Sequence, residues 1–117
     1  MEKKGDLEVN VSLLEEKQAA VVVLVGELDH FTLSKVENIV MPLFEKKQNV
    51  IVDCEGLRYI SSTGLLALLR YYSRAKGKGK KFFVVSPNRY LNDLLGAAGS
   101  HRLLMIYETL TEAEEAL

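Results

Sequence analysis

Residues 19–25, Ala-Ala-Val-Val-Val-Leu-Val, form an unbroken apolar run. The run is far shorter than the roughly 18–20 residues a membrane-spanning helix requires. It has the length of a strand covered on both faces. A strand of that kind demands further layers, and the rest of the chain supplies them in alternation. Just before it, Leu7, Val9, Val11 and Leu13 alternate with Glu8, Asn10 and Ser12. Period two marks a half-exposed strand. Glu15-Glu16-Lys17-Gln18 is a polar turn between the two. The pair is expected to form a hairpin whose second strand stops at Gly26.

From Leu33 the apolar period changes. Leu33, Val36, Val40, Leu43 and Phe44 fall at helical spacing. Thr32 or Ser34 is placed to cap this helix, and Ser34 with Glu37 fits a capping box. Pro42 cannot donate to the carbonyl of Asn38, so a kink or an early end is expected there. Residues 49–53, Asn-Val-Ile-Val-Asp, predict a short buried strand. Leu65, Leu68, Leu69 and Tyr72 give the next helix an apolar stripe, ended by Gly77 or Gly79. Residues 82–85 predict a strand. Leu91, Leu94, Leu95 and Ala98 predict a helix between Pro87 and Gly99. Residues 103–106 predict a last strand, and Thr109-x-x-Glu112 opens a final helix.

The element order is β-β-α-β-α-β-α-β-α. It predicts one α/β domain: a mixed, mostly parallel sheet of about four to five strands with four helices. The chain of 117 residues is single-domain in size, with no internal repeat, low-complexity segment or dividing linker. Hydrophobic residues make up 48% and the net charge is −1, which argues against a largely disordered chain. The balance also gives no reason to expect nucleic acid as the main partner. The start, Met-Glu-Lys-Lys-Gly-Asp, is followed by no apolar signal segment. One cysteine, Cys54, leaves no internal disulfide framework and no multi-cysteine zinc site. An intracellular, cytoplasmic protein is the expectation. In open sheets of this class, sites favour the carboxyl ends of strands. Two such ends stand out, residues 26–30 and residues 55–64.

No catalytic or metal site is expected from the residues, and no cofactor. His30 and His101 are far apart in sequence, and a lone loop histidine is more often solvated than catalytic. No Gly-x-x-x-x-Gly-Lys-Ser/Thr, Gly-x-Gly-x-x-Gly or Gly-x-Ser-x-Gly occurs. Cys54 has no activating base beside it and reads as a small buried hydrophobe. Lys76-Gly77-Lys78-Gly79-Lys80-Lys81 has the charge to meet phosphates but no arginine or aromatic to read bases. It reads as a solvated loop at a helix C-terminus, where the dipole favours cations. Tyr59-Ile60-Ser61-Ser62-Thr63-Gly64-Leu65-Leu66 is more unusual. It puts three consecutive hydroxyls at a strand-to-helix junction. One hydroxyl suffices as an N-cap, so the others are candidate phosphate acceptors.

Residues 50–53, Val-Ile-Val-Asp, followed by residues 57–65, Leu-Arg-Tyr-Ile-Ser-Ser-Thr-Gly-Leu, resemble the signature of the STAS domain. Within that superfamily the chain resembles the stand-alone bacterial anti-sigma factor antagonists, whose Gly-Glu-Leu-Asp segment is matched by residues 26–29. The resemblance runs from Leu7 to the C-terminal helix. It implies a non-enzymatic protein that binds an anti-sigma factor serine kinase and so frees a sigma factor. The kinase would switch the antagonist off by phosphorylating a serine at the helix start, and a PP2C-type phosphatase would reverse this. It further implies no direct contact with nucleic acid or membrane, and a monomer or weak dimer.

Carried over by position, the acceptor is Ser62, with Thr63 and then Ser61 as secondary candidates. The partner surface is Glu27, Asp29, His30, Ser61, Ser62, Thr63, Gly64 and Leu66. The family motif commonly reads Asp-Ser-Ser/Thr-Gly. Here its Asp is replaced by Ser61, which removes a carboxylate next to the acceptor. Two other expectations stand beside this one. The first is a scaffold subunit of a stress-signalling assembly without a phosphate switch. The second is a small-ligand or lipid-binding module using the same strand-end cleft.

Overall fold

The computed structural model describes residues 6–86, 92–94 and 104–117. Strands β1 (Leu7–Leu14), β2 (Ala19–Leu28), β3 (Asn49–Ile60), β4 (Phe82–Val85) and β5 (Met105–Tyr107) form one sheet in chain order. β1 and β2 are antiparallel, and every later pairing is parallel. Helices α1 (Leu33–Glu45) and α2 (Ser62–Gly77) make the first crossovers. Residues 92–94 are helical and form α3 as far as it is described, and α4 is Leu110–Glu115. The expected mixed sheet with four helices is the fold observed. Pro87, Leu91, Leu95, Ala98, Gly99, His101 and Leu103 lie outside the described residues.

The crossovers from β2 to β3 and from β3 to β4 step in one direction across the sheet. Right-handed connections then place α1 and α2 on the same face. Val36, Val40 and Phe44 of α1 and Ala67, Leu68 and Tyr71 of α2 accordingly share one core with Val22, Leu24, Val50 and Val52. The opposite face is covered by the short α4, whose Ala113 packs with Val21, Ile51, Phe83 and Val85. That cover is limited. Residues 19–22 and Leu24 are buried, whereas Val25 is 39% exposed. The apolar run is therefore two-sided only over its first part.

Three sequence expectations change in the sheet and in α2. β2 does not stop at Gly26 but continues to Leu28. Gly26 takes φ +124°, and a Cβ there would lie 2.2 Å from the Asp6 carbonyl oxygen, so only glycine lets the start of β1 come this close. β3 continues well past Asp53 to Ile60. Its register against β2 shifts between Val23 and Val25 and again between Gly26 and Glu27, and each shift adds a residue to β3. Cys54, Leu57 and Ile60 thus all reach the helical face at a spacing of three. Third, Tyr71 rather than Tyr72 is the buried tyrosine of α2, while Leu65, Leu69 and Tyr72 pack half-buried at the core edge.

Helix α1 is not capped by Thr32 or Ser34. Thr32 occupies the N-cap position without a side-chain cap bond, and Ser34 lies inside the helix. Pro42 falls in the last turn and the helix runs on to Glu45. The expected early end at Pro42 does not occur, and the chain leaves through Lys46, Lys47 and Gln48. Their amides bond to the carbonyls of Pro42, Phe44 and Leu43. The lysine-rich segment, expected as a loop beyond the helix, begins inside α2: Lys76 and Gly77 are in its last turn and residues 78–81 follow it. Lys78 meets Glu45 at 3.4 Å, and Lys81 Nζ donates to the carbonyls of Ala116 and Leu117.

Candidate functional site

β2 and β3 are parallel neighbours, so their carboxyl ends emerge side by side. Glu27 pairs with Tyr59 and Leu28 with Ile60. The Ser61 amide then donates to the Leu28 carbonyl at 2.9 Å, tying the two exits together. The segments 26–29 and 61–64, far apart in the chain, become one surface by this pairing.

On the first exit, Asp29 organises the loop. Its Oδ1 accepts from the amides of Phe31 at 2.8 Å and Thr32 at 3.0 Å, and its carbonyl accepts from the Leu33 amide at 3.0 Å. The buried Thr32 hydroxyl donates to the Glu27 carbonyl at 2.8 Å and accepts from the Asp29 amide at 3.0 Å. Asp29 therefore holds the turn that leads into α1, while the helix itself has no side-chain cap. The Glu27 carboxylate reaches Arg58 at 3.5 Å; the pair is solvent-facing, with Arg58 67% exposed. His30 is exposed and meets the Phe31 ring edge-on at 5.5 Å between centroids.

On the second exit, Ser61 is the N-cap of α2. It is extended, and its Oγ accepts from the Gly64 amide at 3.2 Å. Its carbonyl accepts from the Leu65 amide at 2.9 Å. Ser61 thus spends its hydroxyl on the helix. Ser62 and Thr63, the first two helical residues, are exposed. Gly64 is buried, and a Cβ there would lie 2.8 Å from Ile60 Cγ1 and 3.1 Å from the Leu28 carbonyl oxygen. Its lack of a side chain lets the helix start against the strand ends. The first turn of α2 holds no acidic residue, so nothing there offsets the positive end of its dipole.

Leu66, four residues beyond Ser62 and so on the same side of α2, is 62% exposed. Arg70, one turn further, instead pairs with Glu37 of α1. Two exposed aromatic side chains at this end escaped the sequence reading: Phe31 at 61% and Tyr59 at 44%. Neither fits a helical or strand stripe, and a single loop aromatic carries no periodic signal. An open groove of about 960 Å³ lies between the helices, lined by Glu37, Met41, Leu66, Leu69, Arg70 and Arg74 among others. It does not include Glu27, Asp29 or Ser62 and is not the strand-end cleft.

Cys54 is fully buried; desolvation, then the Asp53 carboxylate, push its thiol far up, so it holds its proton. It is the small hydrophobe expected. Among the described residues, no cluster of His, Cys, Asp or Glu is arranged to hold a metal, and no helix is long and apolar enough to cross a membrane.

Comparison with known proteins gives consistent matches. The STAS domain family model matches residues 10–113. An anti-sigma F factor antagonist from Paenibacillus polymyxa is 25% identical over 114 residues, covering 92% of this chain and 97% of that protein. The crystal structure of an anti-sigma factor antagonist from Mycobacterium paratuberculosis superposes with a TM-score of 0.86 at 22% identity, covering 95% of this chain and 93% of that one. The phosphorylated form of the Bacillus cell fate determinant SpoIIAA superposes at 0.73 with 17% identity, covering 93% and 98%.

Proposed function

We propose, from the premise that this chain belongs to the STAS domain family, that it is an anti-sigma factor antagonist. In this reading it binds an anti-sigma factor that is also a serine kinase, releases the sigma factor, and is switched off by phosphorylation of Ser62. A PP2C-type phosphatase resets it. The observation that carries the proposal is the joined pair of strand exits, with Ser61 engaged as the cap while Ser62 stays exposed beside it.

The division of labour among the three hydroxyls supports Ser62 as acceptor. Ser61 accepts a backbone bond that holds the helix start, so its hydroxyl is already engaged. Ser62 can take a group without losing any such bond. A phosphate there carries about −1.5 to −2 charges. The amides and dipole of the first turn of α2 favour it. Phosphorylation therefore leaves the fold intact and acts at the interface. The new charge stands on a surface that already carries Glu27 and Asp29. The exposed Phe31, Tyr59 and Leu66 provide apolar area for a partner to cover. Covering an added, unpaired charge costs on the order of a hundredfold or more in affinity.

The test is intact-mass analysis with site mapping after incubation with ATP and candidate serine kinases of the same organism. One added phosphate is expected in the wild type and none in Ser62→Ala, with unchanged helix content by circular dichroism. A phosphate that persists in the variant moves the site to Ser61 or Thr63. A kinase that binds the protein and never modifies it favours the second reading, an unswitched scaffold subunit. The observation behind that reading is Ser61 itself, which stands where the family motif commonly carries Asp.

A further inference from the structure

The outer edge of the sheet at β1 raises a separate question. Glu27 donates its amide to the Asp6 carbonyl at 2.8 Å, which makes Leu7–Gly26 a non-hydrogen-bonded pair in the ladder. Counting along the register, Glu8, Asn10, Ser12 and Leu14 turn their backbone groups toward β2. Leu7, Val9, Val11 and Leu13 turn theirs outward. Lys35 Nζ donates to the Leu7 carbonyl at 3.1 Å, consistent with that assignment. Among the described residues, no strand pairs with Val9, Val11 or Leu13 on this side.

Edge strands are normally blunted by lysine, proline, a bulge or shortness. The opposite edge, β5, is short at three residues. β1 has none of these protections. It runs for eight residues, its register with β2 is continuous, and Glu8 is its one charge. Val11 is 42% exposed and Leu13 58%, and both share the helical face with the buried Leu7 and the half-buried Val9.

We propose that β1 is a homodimer interface in which a second copy of this chain adds its own β1 antiparallel, giving a continuous sheet across a twofold axis. The arrangement centres on Val11. Val11 then faces Val11 of the second copy, and Val9 faces Leu13 in both directions. These are the residues whose backbone groups point outward, so each such pair exchanges both of its backbone hydrogen bonds. The register leaves out Leu7, whose carbonyl Lys35 already occupies. On the helical face Val9, Val11 and Leu13 of both copies meet as one apolar stripe. On the other face Asn10 faces Ser12 and Glu8 faces Leu14, so no like charges oppose one another. The register sets apolar residues against apolar residues and opposes no like charges, so a second copy fits this edge. The interface is independent of the phosphate switch, because β1 carries none of the residues assigned to that site.

Sedimentation of the full chain between about 1 µM and 1 mM tests the proposal. The wild type is expected to associate reversibly to a dimer. Val11→Lys places like charges opposite each other at the centre and is expected to weaken association on the order of tenfold or more. Leu13→Lys, at a more exposed position, sets a charge against the apolar Val9 of the second copy; it is also expected to weaken association and serves if the first variant folds poorly. A wild type that stays monomeric at about 1 mM overturns the proposal. So does a dimer that both folded lysine variants leave unchanged.

Discussion

Two buried side chains and one glycine show how much rests on individual positions. Gly64→Ala would drive a methyl against Ile60 and the Leu28 carbonyl. The backbone oxygen cannot turn aside, so a loss of about 1–3 kcal/mol is expected in urea unfolding. Partner binding should weaken in parallel if the strand exits are the binding surface. Cys54 and Tyr71 set the alkaline limit. Burial raises both above their ordinary values of 9.0 and 10.0; a nearby charge, Asp53 for the thiol and Glu37 for the phenol, adds to this. Above pH about 9 the unfolded chain gives up these protons while the folded chain keeps them. The folded state then binds more protons than the unfolded one, so stability falls as pH rises. Thermal melts are expected to be flat in this respect below pH 9 and to decline between pH 9 and 11. Replacing Cys54 by Ala should remove its share of that decline, and the native thiol should resist a thiol reagent at pH 8 that labels the unfolded chain.

At the level of elements, α2 depends on a cap that the sequence made visible but left unassigned. Three hydroxyls stood at its start, and only the geometry shows that Ser61 accepts the Gly64 amide. Ser61→Ala is expected to cost about 1 kcal/mol. Ser61→Asp should match or exceed the wild type, since aspartate caps equally well and its charge opposes the helix dipole. Chemical denaturation of the three proteins checks that order, and an alanine variant as stable as the wild type would remove the capping role. Helices and the first hairpin were legible because their apolar periods are unbroken. The second half of β3 was not. Its two added residues convert a period of two into a spacing of three at Cys54, Leu57 and Ile60, which matches neither template. The cap of α1 was misassigned for a related reason. Asp29 lies outside the apolar pattern, and its turn depends on the buried Thr32 hydroxyl reaching back to Glu27.

For the whole molecule, alternation of elements was enough to give the mixed parallel sheet, because handedness leaves few ways to connect strands through helices. The joining of segments 26–29 and 61–64 was legible only through the family resemblance and the rule that sites gather at strand ends. The exposed Phe31 and Tyr59 followed from neither. What alternation could not reveal is the spatial order of the strands, which is simply their order along the chain. That order bears on how the molecule comes into being. No strand has to wedge between two that are already joined. During synthesis each strand can dock on the rim left by its predecessor as soon as its helix has emerged, and growth advances steadily away from β1. The first hairpin is then the oldest part of the sheet, available as a template before the rest of the polypeptide has been made.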